Sequence, residues 1–287
     1  MMRIFEPDIY ATVFRMVQNR IPAPPRHRYG GCRKRIADEV CFTGLLMRFI
    51  SADAWETVEM RLRNETGVAV SDTTLRSRRS EWVQAGVFHQ LMEDCLAIYH
   101  ELIGVDMTHV AIDGSSQLAP GGGLDTNNCP GSKGRQTFKW SIGVDAVGIG
   151  LGGVIVAGSA NDYPLLQPTL DEVTARDWTA AIEMLHLDRG YGYPSLPQRL
   201  ERHQVNNVDV TMRNMPGQGR LLLSGLKRRW VVERTNSWLT NFKQLKFNHD
   251  RTSEHRLAAL QLGFAILTVY RIVDHLNRDH LPLETIR

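Results

Sequence analysis

The chain has 287 residues, 43% apolar and 23% charged, the composition of a soluble globular protein with room for one large domain and a smaller one. Its four cysteines, Cys32, Cys41, Cys95 and Cys129, form no CxxC pair and have no His cluster beside them, which excludes a zinc site and a disulfide framework and suits reduced thiols in a cytosolic protein. The net charge of +3 is uneven, with 8 Lys/Arg against 12 Asp/Glu in residues 106–218 and 12 against 6 in residues 219–287; a polyanionic ligand on basic flanks and a solvated basic helix account for this equally well.

Residues 1–105 read as mainly helical. The start, MMRIFEPD, turns acidic within eight residues and has no apolar run, so no signal peptide is expected there. Arg20 to Arg35, RIPAPPRHRYGGCRKR, is a Pro/Gly-rich loop with six Lys/Arg and no acid. Helical apolar spacing follows over 36–50 and 54–62. In VSDTTLRSRRSEWVQAGVF, Ser71 or Asp72 suits an N-cap and Gly86 a helix stop. Between them Leu75, Trp82 and Val83 are expected inside and Arg76, Arg78 and Arg79 outside. A short arginine-bearing helix after another helix and a brief turn is the pattern of a helix-turn-helix reader of DNA, and a helical packing domain has the same pattern.

After Gly104 the texture changes. MTHVAIDGSS is an apolar run ending at Asp113, and KWSIGVDAVG and LGGVIVAGSAND are β-branched runs joined as a hairpin. YPLLQPTLDEV reads as a helix, AAIEMLHLD as a helix-to-strand stretch ending at Asp188, PSLPQRLERHQ as a helix and NNVDVTMR as a strand. LKRRWVVERTNSWLTNFKQL then predicts one long amphipathic helix. Three strands followed by alternating elements predict a mixed α/β fold, a mixed sheet flanked by helices. The Gly/Pro/Asn-rich stretch QLAPGGGLDTNNCPGSKG is a loop between the first two strands. Leu257 to Val273 is apolar for 17 residues but includes Gln261, Thr268 and Arg271, so a buried helix is expected rather than a membrane span.

Asp113 and Asp188 both end predicted strands, where neighbouring strands would let their carboxylates converge. Converging carboxylates bind hard divalent cations, Mg²⁺ above all. Either residue alone reads first as a turn residue. On the long helix, at about 100° per residue, Val231, Trp238, Phe242 and Leu245 gather on one side and Arg229, Glu233, Asn236 and Thr240 on the other. Arg229 lies one turn before Glu233 and can pair with it or with a phosphate.

Four segments in this order, AIDGSS, GSKGRQTFKWSIGVDAVGIGLGGVIVAGSANDYPLL, LDRGYGYPSLPQRLERHQV and RRWVVERTNSWLTNFKQL with its continuation, resemble the bacterial insertion-sequence DDE transposases. More narrowly, the likeness is to the group whose third acid lies in a Tyr-Arg-Glu-Lys pattern. The resemblance implies a ribonuclease H-like catalytic core over 106–287, C-terminal helix included, and a small helical DNA-binding domain, helix-turn-helix-like, over 1–105. It implies catalytic and metal-holding roles for Asp113, Asp188 and Glu233, with Arg229 beside them. It also implies two Mg²⁺ or Mn²⁺ ions per site, and no role is assigned to the Asn161-Asp162 pair. Leu226 and Thr240 stand where the pattern has Tyr and Lys, and Lys243 lies one turn beyond Thr240.

The implied function is binding of terminal inverted repeats followed by DNA strand cleavage and strand transfer. The expected partner is double-stranded DNA, the expected assembly a homodimer or larger on DNA, and the expected location the bacterial cytoplasm. DNA contacts are expected from Arg33, Lys34, Arg35, Arg76, Arg78, Arg79, Lys133, Arg135, Lys227, Arg228, Lys243 and Lys246. Trp140, Trp230 and Trp238 are candidates for stacking on unpaired bases, with Trp238 read first as a core residue. Two alternatives share these features: a ribonuclease H-like nuclease that does not join strands, and a domesticated transposase acting as a DNA-binding regulator.

Overall fold

The computed structural model describes residues 7–24, 35–210 and 229–281. Two compact units emerge from its contacts: Met1–Tyr99 with Phe242–Leu245 and Ala258–Arg287, and His100–Asn241 with Lys246–Leu257.

The first unit is helical, built on α1 (Pro7–Gln18), α2 (Asp38–Ser51), α3 (Trp55–Thr66), α4 (Asp72–Gln84) and most of α5 (Val87–Leu102). Ser71 caps α4 as the sequence suggests, its Oγ accepting from Thr74 N at 3.3 Å. Gly86, at φ +70°, sits between α4 and α5. Phe42, Leu45, Phe49, Val58, Leu62, Leu75 and Trp82 are buried, with Phe42 and Trp82 ring centroids 6.2 Å apart.

The arginines of α4 depart from expectation. Arg76 is exposed, but Arg78 and Arg79 are 5% and 8% exposed. The reason is geometric: at about 100° per residue Arg79 lies roughly 40° from Leu75, and Arg78 roughly 60° on the other side, so both flank the apolar stripe. Arg78 is satisfied by the Asp38 carboxylate and by Ile36 O at 3.3 Å.

The second unit holds β1 (His109–Leu118), β2 (Asn127–Asn128), β3 (Gln136–Val144), β4 (Gly150–Ala157), α6 (Asp162–Val173), β5 (Ile182–His186), α7 (Leu196–Leu200), β6 (Val205–Asp209) and α8 (Trp230–Leu239). These strands make one six-stranded mixed sheet. β3 runs antiparallel to β1, β2 and β4, while β5 is parallel to both β1 and β6. Helix α6 packs on β3 and β4, and α8 on β1 and β3. The predicted mixed sheet with flanking helices is therefore observed, with β2 an addition inside the expected loop.

Three local expectations fail. The first strand does not end at Asp113 but runs on to Leu118, so Asp113 lies inside β1. Residues before Ile182 form no helix, so 180–188 contributes only a strand. The long helix stops at Leu239; Thr240 to Phe242 interrupt it, and only a short α9 (Lys243–Lys246) follows. The last helix, α10 (Ser253–Arg278), is the one described helix long and apolar enough to cross a membrane, and 78% of its apolar window is buried inside the protein.

Candidate active site

The site begins with strand register. β1 and β5 pair in parallel up to Ala111 opposite His186. Two residues further along each chain stand Asp113 and Asp188. Side chains two apart share a face, and neighbouring strands lie about 4.8 Å apart, so this register directs both acids to the same end and face.

Asp113 is held still within β1, paired across to Ile142 of β3. Its Oδ2 accepts from Asn236 Nδ2 of α8 at 3.0 Å. Gly114 follows because nothing larger fits: an added Cβ would stand 2.2 Å from Asp162 Oδ1. Burial pushes the Asp113 carboxyl up to about 6; Arg229 pulls it down, and Asp162, Asp188 and Glu233 add upward pressure. This carboxyl is short of positive charge.

Asp188 lies at the open end of β5, where its Oδ1 caps the turn at 189–191 by accepting from Arg189 N at 2.6 Å. The same oxygen accepts from Arg229 Nη1 at 3.0 Å, and Arg229 Nη2 reaches Glu233 Oε1 at 3.4 Å. One guanidinium thus joins the second acid to the third. Its partners are half exposed, at 50% and 58%.

Helix α8 delivers Glu233 and is anchored by three consecutive residues. Arg234 Nη2 donates to Val147 O at 2.6 Å, Thr235 Oγ1 to Gly148 O at 2.8 Å, and Asn236 to Asp113. Gly148 permits this approach: it has φ +90°, and an added Cβ would stand 2.8 Å from Arg234 Nη2. The buried face of α8 is Val231, Val232, Thr235, Asn236 and Leu239. That reverses two sequence assignments, for Asn236 is buried and Trp238 lies partly open at the surface. Arg234 accounts for the second, its guanidinium lying 4.3 Å from the Trp230 ring centroid and 4.4 Å from that of Trp238. Trp230 is 50% exposed, whereas Trp140 is fully buried and cannot stack on a base.

Sequence reasoning gave Asp162 no role and passed over Lys139. Lys139 Nζ pairs with Asp162 Oδ1 at 3.0 Å and donates to Ala160 O at 2.7 Å, which places a fourth carboxylate and its counterion beside Gly114. Tyr191, three residues after Asp188, is buried at 1% exposure, while Arg189 is exposed. Asn236 could have been found from its place one turn after Glu233; nothing local identified Lys139.

Of the expected DNA contacts, Arg76, Lys133, Arg135, Lys243 and Lys246 are exposed. Arg35 is occupied by Glu81 at 2.8 Å and by Asp38, and Arg76 by Asp72 at 3.1 Å. Arg33, Lys34, Lys227, Arg228 and Leu226 lie outside the described residues, as does Cys32, and Thr240 donates its hydroxyl to Ser237 O.

The donor set is chemically suited to a hard divalent cation. Its oxygens are all carboxylates, and Asp113 is under-compensated. Among the described residues no three His, Cys, Asp or Glu are spaced to share one ion, and the Arg229 guanidinium bridges Asp188 and Glu233 as a cation itself. The residues fit such an ion provided that Arg229 yields to it.

The family model described as the transposase DDE domain matches residues 104–270, more than half of the chain, and the protein belongs to that family. Among individual relatives, a protein designated a transposase for insertion sequence element IS402 from Burkholderia cepacia is 28% identical over 144 residues, 48% of this chain. The chain spans 65% of that relative's length. In fold, the chain is similar to the piggyBac transposase in a synaptic complex with hairpin DNA, at a TM-score of 0.51 and 10% identity, over 99% of this chain and 77% of that one. Divalent-metal use is what membership of the family implies.

Proposed function

We propose that this protein is the transposase of an insertion sequence, binding the element's terminal inverted repeats and catalysing DNA strand cleavage and strand transfer. The observation that supports the reading is the register that sets Asp113 and Asp188 at the same end of neighbouring strands, with Arg229 bonded to both Asp188 and Glu233. In this reading the three acids hold two divalent ions, Mg²⁺ or Mn²⁺. When bound, such ions activate the attacking oxygen and stabilise the leaving oxygen of an in-line displacement at phosphorus.

The chain's own residues supply the rest. Asp113 contributes a carboxylate fixed by β1 and Asn236. Asp188 and Glu233 contribute carboxylates that Arg229 holds ready. Arg229 would then be free to leave one of them and present its planar donors to the scissile phosphate. Exposed Arg76, Lys133, Arg135, Lys243 and Lys246, with Arg33, Lys34, Arg35, Lys227 and Arg228, contact the DNA backbone and make binding salt-dependent. The helical unit carrying Arg76 serves as the DNA-binding domain, the exposed Trp230 is the ring available to an unpaired base, and two copies bring the element's two ends together in the bacterial cytoplasm.

The test is a strand-transfer assay with duplexes bearing the element's pre-cleaved ends, a supercoiled target and Mn²⁺ or Mg²⁺. Joined products that vanish on chelation are expected. Cleavage without joining would instead favour a nuclease, and salt-sensitive binding with neither reaction would favour a regulator.

A further inference from the structure

The structure assigns Asn236 as a positioning residue that selects which oxygen of Asp113 is offered to the ions, an inference that rests on the proposed function. Trp140 is fully buried, and its indole N–H can only donate. It donates to Asn236 Oδ1 at 2.8 Å. The amide is therefore committed: its oxygen faces the indole, and its NH₂ faces Asp113 Oδ2 at 3.0 Å. Turning the amide over would set oxygen against carboxylate and N–H against N–H, two repulsive contacts in a buried place.

One lone pair of Oδ2 is thus taken by the amide, which leaves Oδ1, with no bond among the described residues, the less encumbered oxygen for a cation. The same amide lies on α8 next to Thr235, bonded to Gly148 O at 2.8 Å, and three residues after Glu233. Asn236 therefore ties the first acid and the helix of the third into one frame. Trp140 achieves this from β3, two residues from Ile142, the cross-strand partner of Asp113.

The experiment uses full-length protein and Mn²⁺ as the probe. Free Mn²⁺ is followed by electron paramagnetic resonance, the Mn²⁺ concentration for half-maximal cleavage is measured, and thermal unfolding is recorded without metal. Removing an outer-shell partner of a metal ligand lowers affinity or activity by roughly 10–100-fold. N236A is expected to weaken Mn²⁺ binding about ten-fold and to shift the cleavage midpoint equally. W140F, which keeps the amide but frees its orientation, is expected to give a smaller shift in the same direction. The double variant is expected to match N236A, because the indole acts only through the amide.

Mn²⁺ affinity within two-fold of wild type in folded N236A would overturn the assignment, as would additive effects of the two substitutions. Should N236A fail to fold, W140F decides on the same readout. A wild-type protein that binds no Mn²⁺, or D113A that binds it normally, would instead overturn the metal reading on which the assignment rests.

Discussion

Asp113 and the Asp188–Arg229–Glu233 group hold their charge in opposite ways. Asp113 sits inside a strand, fixed by an amide, with its carboxyl pushed up to about 6 mainly by burial. Asp188 and Glu233 are half exposed and share one guanidinium at 3.0 and 3.4 Å. A rigid, buried carboxylate contrasts with two adjustable ones that share a guanidinium. In the proposed mechanism this difference divides the labour: the first acid fixes the position of an ion, and the other two close on it as Arg229 yields.

The largest expected effect treats the two regions alike. Replacing Asp113, Asp188 or Glu233 by Ala should lower strand cleavage at least about 10³-fold, roughly 4 kcal/mol of barrier, while leaving binding to element ends near wild type. Gel-shift and cleavage assays on the same duplex would check this. Cleavage at wild-type rate by any of the three would remove that residue from the site.

Stability should then separate the regions. The Asp113 carboxyl is raised in the folded state from an ordinary 3.8 to about 6. Below about pH 4 it is protonated both folded and unfolded, so it affects nothing. As pH rises from about 4 to about 6 the unfolded chain ionises first, and metal-free stability falls by about 2–3 kcal/mol, then stays level. D113N should remove that penalty. Urea unfolding in chelator should find it more stable than wild type by up to about 2 kcal/mol at pH 8 and equal to it at pH 3. D188N should show no comparable gain, and a gain as large would erase the distinction.

R229A sharpens the comparison from the other side. Its ion pairs reach half-exposed partners, so the loss of stability should stay under about 1 kcal/mol. Removing a competing cation should tighten Mn²⁺ binding several-fold, while cleavage falls by about ten-fold or more because the phosphate loses a contact. Calorimetric Mn²⁺ titration beside a cleavage assay would check both, and weakened Mn²⁺ binding would contradict the proposed displacement. The smallest effect concerns the helical unit. R76A should weaken end binding modestly and reduce the slope of log affinity against log salt by about 1, whereas R78A should mainly destabilise the fold.

Much of this arrangement was legible in the sequence, and the failures share a cause. Apolar runs leading to Asp113 and Asp188 announced β1 and β5, though β1 continues past Asp113 to Leu118, and Ser71 and Gly86 announced the limits of α4. The convergence of Asp113 with Asp188 could not be read, because it depends on pairing Ala111 with His186, residues far apart in the chain. The helical projection found Glu233 on an open face, yet it placed Trp238 inside and Asn236 outside. Burial on α8 is set by what the sheet presents, here the indole N–H of Trp140 and the carboxylate of Asp113. Arg78 and Arg79 escaped the same projection because charge suggested solvent, whereas their angle about α4 and the Asp38 partner of Arg78 place them inside. Periodicity reports which faces differ; partners across the fold decide what each face meets.

In the proposed mechanism Asp113, Asp188 and Glu233 hold divalent ions in one place. Iron-directed cleavage of the polypeptide tests it most directly: Fe²⁺ with ascorbate and peroxide cuts a chain beside the residues that bind the ion. The expected result is cuts near residues 113, 188 and 233 that excess Mg²⁺ suppresses and D113A abolishes. Cuts elsewhere, or cuts near those residues that persist in D113A, would contradict it.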